Sequence, residues 1–361
     1  IASRFAIDER GALTIDGEPE FLFGLYHVSW IGGRTGQGLE DDFDVMTDAG
    51  FDVVHPTLLA TETTDAVLSS SHERGVYVVG ELYWPERELV VGRHRDAPAI
   101  VAWDLADDAN WPAGAPRVSP EELASRRDAF RRLDPDALSY ASVIAGPGLE
   151  VRGYAQAVDI LGVQSYPIGN NAGDPAWDER ALEQHVSYVR TASEDADGTG
   201  VCLHINLQTF AWPDQRAPTP SELRNMLYAS IVHGYKGVLA YTFYDGNSGL
   251  HDEHPEVWEE LRRLRAEVES LERLILKGER TVIDTGVDGL HGATWSHGDE
   301  RLVIVLSTKR DHAVEFEVPL HEFAGVDGAA WRVREGVLSG RLEPEEVCVV
   351  RALVSGSEGS P

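Results

Sequence analysis

The sequence predicts an α/β protein, a (β/α)8 TIM barrel followed by a small all-β, sandwich-like C-terminal domain. Short apolar runs alternate with amphipathic stretches over about 250 residues, as parallel strands joined by helices do. After Gly278 the pattern changes to apolar residues with a period near two, which is typical of antiparallel strands. A doubly wound open sheet is the rival fold, but no glycine-rich phosphate loop follows the first run, where Gly24 stands alone.

The barrel strands are predicted from eight apolar runs. They are residues 21–26, 52–55, 76–80, 100–103, 139–145, 158–163, 201–207 and 237–243. Amphipathic stretches between these runs predict the helices, at residues 39–49, 64–74, 87–94, 120–133, 179–192, 220–233 and 255–276. A helix after the fifth strand is only weakly indicated. Ser119 and Thr219, each followed by proline and acidic residues, are predicted helix N-caps.

Three segments are predicted along the chain. Residues 1–277 form the barrel, preceded by an N-terminal β ribbon with strands at 5–7 and 13–15. Residues 278–354 form the all-β domain, and 355–361 are a polar tail. The strands of the all-β domain are predicted at 281–284, 290–296, 301–307, 313–318, 330–335 and 345–353.

The net charge of −30 narrows the range of partners. A field of that sign repels nucleic acid phosphates and anionic lipid, so we exclude both as partners. Lysine occurs only at Lys236, Lys277 and Lys309, against 61 acidic residues. This balance favours a soluble protein of a high-salt environment, since screening shortens the reach of self-repulsion. A GC-rich genome would explain the preference for arginine but not the number of acids.

The remaining global features give no cofactor and no metal. Cys202 and Cys348 form neither a metal motif nor a disulfide framework and are predicted to be buried thiols. Residues 251–254 resemble a metal cluster by composition, but their spacing does not support a site. The oligomeric state and the localisation stay undetermined; processing before Ile1 would fit secretion.

Aromatic, acidic and amide side chains follow the predicted strands, where barrel active sites lie. Sugars require this mixture, because their C–H faces pack on aromatic rings and their hydroxyls need donors and acceptors. We therefore predict a saccharide site. Its substrate-binding candidates are Tyr26, His27, Trp30, Trp84, Trp111, Gln164, Tyr166, Gln208, Trp212 and Tyr241. The simpler interpretation is a polar barrel mouth without a ligand.

Four stretches carry a family resemblance: residues 11–24, 97–103, 161–167 and 208–224. The first resembles the opening of clan A glycoside hydrolases, such as β-galactosidases and cellulase-like enzymes, and the others resemble the fourth, sixth and seventh strands of that clan. The resemblance covers about residues 11–275. In that clan an Asn-Glu pair after the fourth strand contains the acid/base. The resemblance therefore implies that Asp108 is the acid/base, with Asp107 before it. The clan's nucleophile, a Glu at the end of the seventh strand, corresponds to the region of Gln208, which is not nucleophilic.

Three explanations fit this departure. Glu81 or Asp245 supplies the second carboxylate, with a separation that would decide between retention and inversion. Alternatively Asp107 and Asp108 act together, as adjacent aspartates do in O-GlcNAcase-like enzymes, which this pair resembles. There one aspartate orients the substrate's acetamido group, and Tyr166 or Tyr241 would hydrogen-bond the intermediate. The third explanation is an inactive site in a sugar-binding barrel.

Each candidate also has a structural interpretation. Asp107 and Asp108 can cap the following turn, Glu81 can pair with arginine, and Asp245 can shape a turn. His27 and His55 can be buried structural histidines, and Gln208 can bond the backbone. We predict a glycoside hydrolase acting on an oligo- or polysaccharide by carboxylate acid/base catalysis. The alternative is an inactive carbohydrate-binding or structural protein. The sugar, the linkage and the stereochemical outcome are not determined by the sequence.

Overall fold

The structure is a computed structural model that describes residues 4–26, 37–170, 174–243, 249–319, 331–334 and 336–353. The chain begins with an antiparallel ribbon. Its strands are β1 (Phe5–Ile7), β2 (Leu13–Ile15) and β3 (Glu18–Pro19). The first two are the strands predicted for the ribbon.

In the part of the chain that the structure describes, eight parallel strands then close into a barrel. They are β4 (Phe23–Tyr26), β5 (Val53–His55), β7 (Tyr77–Leu82), β8 (Ile100–Asp104), β9 (Leu138–Ile144), β10 (Ile160–Ser165), β11 (Cys202–Gln208) and β12 (Val238–Tyr241). The short β6 (Thr57–Leu58) continues β5 along β7. Pairing of β12 with β4 and of β5 with β7 closes the ring. The predicted barrel is confirmed.

Helices on the outside of the barrel connect its strands. They are α1 (Gln37–Asp48), α2 (Glu62–Glu73), α3 (Arg87–His94), α4 (Pro120–Phe130), α5 (Arg152–Ala155), α6 (Pro175–Ala196), α7 (Pro220–Val232), α8 (Leu250–Glu253) and α9 (Pro255–Lys277). The weakly indicated helix after the fifth barrel strand is a single turn, α5. Ser119 and Thr219 cap α4 and α7 as predicted, because each hydroxyl accepts the N–H of the third helical residue.

Side chains along each barrel strand point alternately outward and inward, so the barrel has two apolar layers, one beneath the helices and one in the interior. On β11, Leu203, Ile205 and Leu207 face the helices, while Cys202 faces the barrel interior. Gly24 on β4 allows a close approach of neighbouring backbone, since a Cβ there would lie 1.7 Å from the carbonyl oxygen of Val53. This glycine therefore serves barrel packing.

The C-terminal domain is a sandwich of two antiparallel sheets. Its strands are β13 (Glu279–Val282), β14 (Leu290–His297), β15 (Glu300–Ser307), β16 (Val314–Pro319), β17 (Trp331–Arg334), β18 (Val337–Leu342) and β19 (Val347–Leu353). The sheet orders are β13-β14-β15-β19 and β16-β18-β17. Val303 and Val305 face the second sheet, and Leu302 and Ile304 pack on the barrel's outer layer. The sequence reasoning missed β18, because Gly340 and its polar neighbours interrupt the apolar alternation.

A buried carboxylate joins the barrel to the C-terminal domain. The side chain of Glu222, at the start of α7, is 0% exposed and accepts hydrogen bonds from Arg216 of the barrel and Arg310 of the C-terminal domain. Arg310 also pairs with Glu345 at 2.9 Å. The amide of Asn225 donates to two backbone carbonyls of the same domain. These contacts fix the two domains against each other.

Two further observations concern the whole described chain. Cys202 and Cys348 are both buried free thiols, as predicted. None of the described helices combines the length and the apolar character that crossing a membrane requires.

Candidate active site

The loop after β8 carries both candidate aspartates, and the neighbouring strand β9 holds it in place. The backbone N–H of Ser142 donates to Ala106, and that of Ala109 donates to Ser142, both at 2.9 Å. The side chain of Asn110 bonds the N–H and the C=O of Ile144 at 2.9 and 2.8 Å. The loop therefore continues the sheet in hydrogen bonding and presents its carboxylates at the carboxyl end of the barrel.

Asp107 stands over the barrel interior as a hydrogen-bond acceptor. Its Oδ1 accepts the hydroxyl of Ser142 at 2.6 Å and that of Tyr26 at 3.0 Å. Gln164 Nε2 lies 3.3 Å from the same oxygen, but its two hydrogens have closer acceptors in Asp108 and Ser142, at 2.7 and 2.8 Å. Charge-assisted hydrogen bonds from two hydroxyls fix the orientation of this carboxylate.

Asp108 is held by a different set of partners. Gln164 Nε2 donates to Oδ1, the Arg117 guanidinium lies 3.1 Å from Oδ2, and the backbone N–H donates to Ser142 Oγ at 2.9 Å. Its φ of +49° is in the left-handed region, which aspartate tolerates better than most residues. Burial and the charge of Asp107 raise the pKa of Asp108, against the opposing effects of Gln164 and Arg117. A raised pKa favours a carboxyl that can donate a proton.

A buried histidine–aspartate pair lies below Asp107. His55 Nε2 is 2.9 Å from Asp104 Oδ2, and both side chains are 0% exposed. Burial raises the pKa of Asp104 to about 6, although the bond to His55 opposes this. For His55, burial lowers the pKa, but the hydrogen bond that it donates to Asp104 and the surrounding acids outweigh this effect and raise the pKa overall. The Tyr26 ring stacks on His55 at 3.8 Å, so this pair supports the tyrosine that bonds Asp107.

Asp107 and Asp108 line a cleft of about 790 Å³ at the carboxyl ends of β8 to β12. Its rings contact one another edge to face. Phe210 lies 5.2 Å from Tyr166, 5.5 Å from Tyr241 and 5.0 Å from Trp212, between ring centroids. The hydroxyl of Tyr166 is buried and has no hydrogen-bond partner among the described residues. A polar group in that state is a candidate for a ligand contact.

The structure brings half of the predicted site residues together in this cleft. They are Asp107, Asp108, Trp111, Gln164, Tyr166, Trp212 and Tyr241. Tyr26 is 1% exposed and lies below the cleft, where it supports Asp107 instead of lining the site. His27, Trp30 and Asp245 fall outside the described residues.

Glu81 and Trp84 do not line the cleft. Glu81, on β7, accepts the hydroxyl of Thr57 on β6, whereas the structural alternative considered from the sequence was a pair with arginine. Trp84 packs against the guanidinium groups of Arg87 and Arg126, at 4.6 and 5.0 Å from the ring centre. Trp84 follows β7 and Glu81 is the next-to-last residue of that strand, but both side chains are engaged elsewhere.

Gln208 was predicted either to contact the substrate or to bond the backbone, and in the structure it bonds the backbone. Its amide accepts the N–H of Ile168 at 3.0 Å and donates to the C=O of Ile168 at 2.9 Å. The side chain is 0% exposed, so the amide is not open to the cleft. The last residue of the seventh barrel strand, β11, therefore holds the loop after β10 by hydrogen bonds and supplies no nucleophile.

Sequence reasoning missed Ser142 and Arg117, two residues that bond the aspartates of the site. Ser142 bonds both aspartates, and a signal for it existed, because it lies two residues after Tyr140 and so shares the inward face of β9. The contact of Arg117 with Asp108 could not be predicted from the sequence, because Arg117 lies in an irregular loop whose path alone brings it to Asp108. Within the described ranges, no group of three or more His, Cys, Asp or Glu side chains is arranged to hold a metal ion.

Comparison with known proteins identifies the fold. No protein-family model and no curated protein sequence matches the chain. Among solved structures, a glycoside hydrolase aligns over 98% of this chain and 94% of its own, at 13% identity and a TM-score of 0.64. The family 30 subfamily 8 xylanase Xyn30A from Clostridium acetobutylicum aligns over 98% and 100%, at 9% identity and a TM-score of 0.57.

A third similar structure is the β-galactosidase of the psychrophilic Marinomonas ef1, with 13% identity and a TM-score of 0.54. The match covers 70% of this chain and 60% of the galactosidase. At these identities the likeness establishes the architecture, which is a glycosidase-like (β/α)8 barrel. The activity has to be argued from the site.

Proposed function

We propose that this protein is a glycoside hydrolase in which Asp108 is the general acid. The observation that carries the proposal is the adjacent pair Asp107–Asp108 at the mouth of an aromatic cleft, with burial and Asp107 raising the pKa of Asp108. Acid catalysis of glycoside cleavage needs a carboxyl that stays protonated near the working pH, beside a second carboxylate. The glycosidase-like barrel and the position of the pair at the carboxyl ends of its strands support the same assignment.

In this mechanism Asp108 donates its proton to the glycosidic oxygen as the bond to the anomeric carbon breaks. Asp107, oriented by Tyr26 and Ser142, stabilises the positive charge that develops on the sugar. Gln164 holds Asp108 beside it. Water delivered after departure of the leaving group completes hydrolysis, with Asp108 now accepting the proton.

A panel of 4-nitrophenyl glycosides, including 2-acetamido sugars, tests the proposal. We expect the wild-type protein to release nitrophenol from at least one member. A preference for 2-acetamido sugars would indicate that the substrate's own acetamido group is the nucleophile. Inertness on the whole panel, with saccharide binding in the cleft retained, would contradict the hydrolase and support the sugar-binding alternative.

Replacement of Arg117 by glutamine is expected to move the basic limb of the pH profile of kcat/KM to higher pH. The guanidinium lowers the pKa of Asp108, so its removal raises that pKa further and keeps the acid protonated over a wider range. Arg132→Gln, at an exposed position after α4, is the matched control. An unchanged or lower limb in Arg117→Gln would argue against Asp108 as the acid.

We also propose that the protein works in strong salt. With a net charge of −30, self-repulsion destabilises the folded state, and raising the salt from 0.1 to 1 M shortens the Debye length from about 10 to about 3 Å. The melting temperature is therefore expected to rise with KCl concentration. Sucrose of equal osmolality, which does not screen charge, is the control. A melting temperature that falls or stays constant in KCl would contradict the proposal.

A further inference from the structure

The cleft extends beyond the aspartate pair into a second region, which we call the apolar arm. It is built by the loops after β9, β10 and β11. Its described side chains are Ile144, Pro147, Leu149, Pro167, Trp177 and Trp212. The arm and the aspartates belong to one continuous cavity of about 790 Å³, within the range of pockets that enclose a drug-sized ligand.

The indole N–H groups of the two tryptophans in the arm are bonded to backbone oxygens. The indole N–H of Trp177 donates to the backbone oxygen of Pro167 at 3.0 Å. The indole N–H of Trp212 donates to the backbone oxygen of Tyr166 at 3.4 Å. Each ring therefore offers carbon atoms to a ligand, and Asn170 and Tyr188 are the polar side chains that the described part of the arm retains.

This chemistry suits a chain of sugars poorly, because the rings can pack on the C–H faces of sugars but cannot bond their hydroxyls. Each buried hydroxyl of a further sugar would need a hydrogen-bond partner, and a polar group that loses water without one is unfavourable. Gln164 and Gln208, the nearby amides, already bond Asp108 and the backbone of Ile168. Removal of an apolar group from water, by contrast, is favourable against a surface of this kind.

We infer that the substrate is a glycoside whose leaving group is an apolar aglycone, an aryl or long alkyl group, bound in the apolar arm. The sugar lies at Asp107 and Asp108, and the bond to the aglycone is the one that Asp108 protonates. This inference rests on the proposed function and narrows the oligo- or polysaccharide expected from the sequence.

Binding of a free aglycone tests the arm without catalysis. Titration with 4-methylumbelliferone, followed by fluorescence, is expected to show saturable binding that Leu149→Asn weakens about tenfold. Leu149→Ala, which removes contacts without adding a polar group, should weaken it less. Leu89→Asn is the matched control, because Leu89 is 63% exposed on α3. Absence of saturable binding, or equal affinity in wild type and Leu149→Asn, overturns the inference.

Turnover separates the inference from the proposed function. Octyl and methyl glycosides of the sugar identified by the nitrophenyl panel share an alkoxide leaving group and differ in apolar length. We expect kcat/KM for the octyl glycoside to be at least about tenfold higher, and Leu149→Asn to remove most of that advantage. Equal rates, or faster cleavage of an oligosaccharide, overturn the inference and leave the hydrolase standing. Inertness towards every glycoside refutes the hydrolase, while the titration still decides what the arm binds.

Discussion

Asp108→Asn is expected to lower kcat/KM by about 10²–10⁴-fold for glycosides with poor leaving groups. Asparagine keeps the size of the side chain and its contact with Gln164 but cannot donate a proton to the glycosidic oxygen. The loss should shrink for 2,4-dinitrophenyl glycosides, since that leaving group departs without protonation. The measurement is kcat/KM for wild type and variant over a series of aryl glycosides with rising leaving-group pKa.

Two comparisons make the result specific to Asp108. Asp128→Asn, at a 60% exposed position on α4, should leave the whole series unchanged. Asp107→Asn should slow every member of the series, because it removes charge stabilisation and not proton donation. A loss in Asp108→Asn that does not depend on the leaving group would assign Asp108 to binding or folding instead of acid catalysis.

Glu222→Gln is expected to reduce the free energy of unfolding by about 1.5–3 kcal/mol. The carboxylate is fully buried between Arg216 and Arg310, so its neutralisation weakens its hydrogen bonds to both guanidinium groups, which keep Asp178 and Glu345 as partners. Burial alone would raise the pKa of Glu222, but Arg216, the N–H of Thr219 and Arg310 lower it overall. Its stabilising effect is therefore fully present above the unfolded-state pKa and is lost as the pH falls from that value through the lower folded-state pKa.

Chemical denaturation of the Glu222→Gln variant at neutral pH measures this effect. Glu259→Gln on α9 is the matched control: its partner Arg262 is a helical neighbour and its side chain is 65% exposed, so the expected change is below about 0.5 kcal/mol. A change of that size in Glu222→Gln as well would show that the cluster does not hold the two domains together.

The barrel was predictable because its signal is local. Each barrel strand is a short apolar run next to a turn or a helix cap. Ser119 and Thr219 show how clearly an N-cap residue marks the start of a helix. β18 shows the limit of this reasoning: Gly340 interrupts the apolar alternation, and the strand exists because β16 and β17 pair with it on either side. Such pairing is a tertiary property that one segment's sequence does not contain.

The site was predictable as far as the strand ends determine it. Asp107 and Asp108 follow β8, Gln164 lies near the end of β10 and Tyr166 follows that strand, so the barrel gathers them at one rim. The direction of a side chain is not fixed in the same way. Trp84 turns to Arg87, which no strand-end rule could foresee. Gln208 faces backbone that a distant loop supplies, and Arg117 depends on the path of an irregular segment.

The most direct test of the account is the structure of Asp108→Asn bound to an uncleaved aryl glycoside. We predict a sugar ring at Asp107, with the glycosidic oxygen within hydrogen-bonding distance of residue 108 and the aryl group towards Leu149. A glycoside bound elsewhere on the surface, or an empty cleft at saturating concentration, would contradict the claim that the gathered acids and rings form the working site.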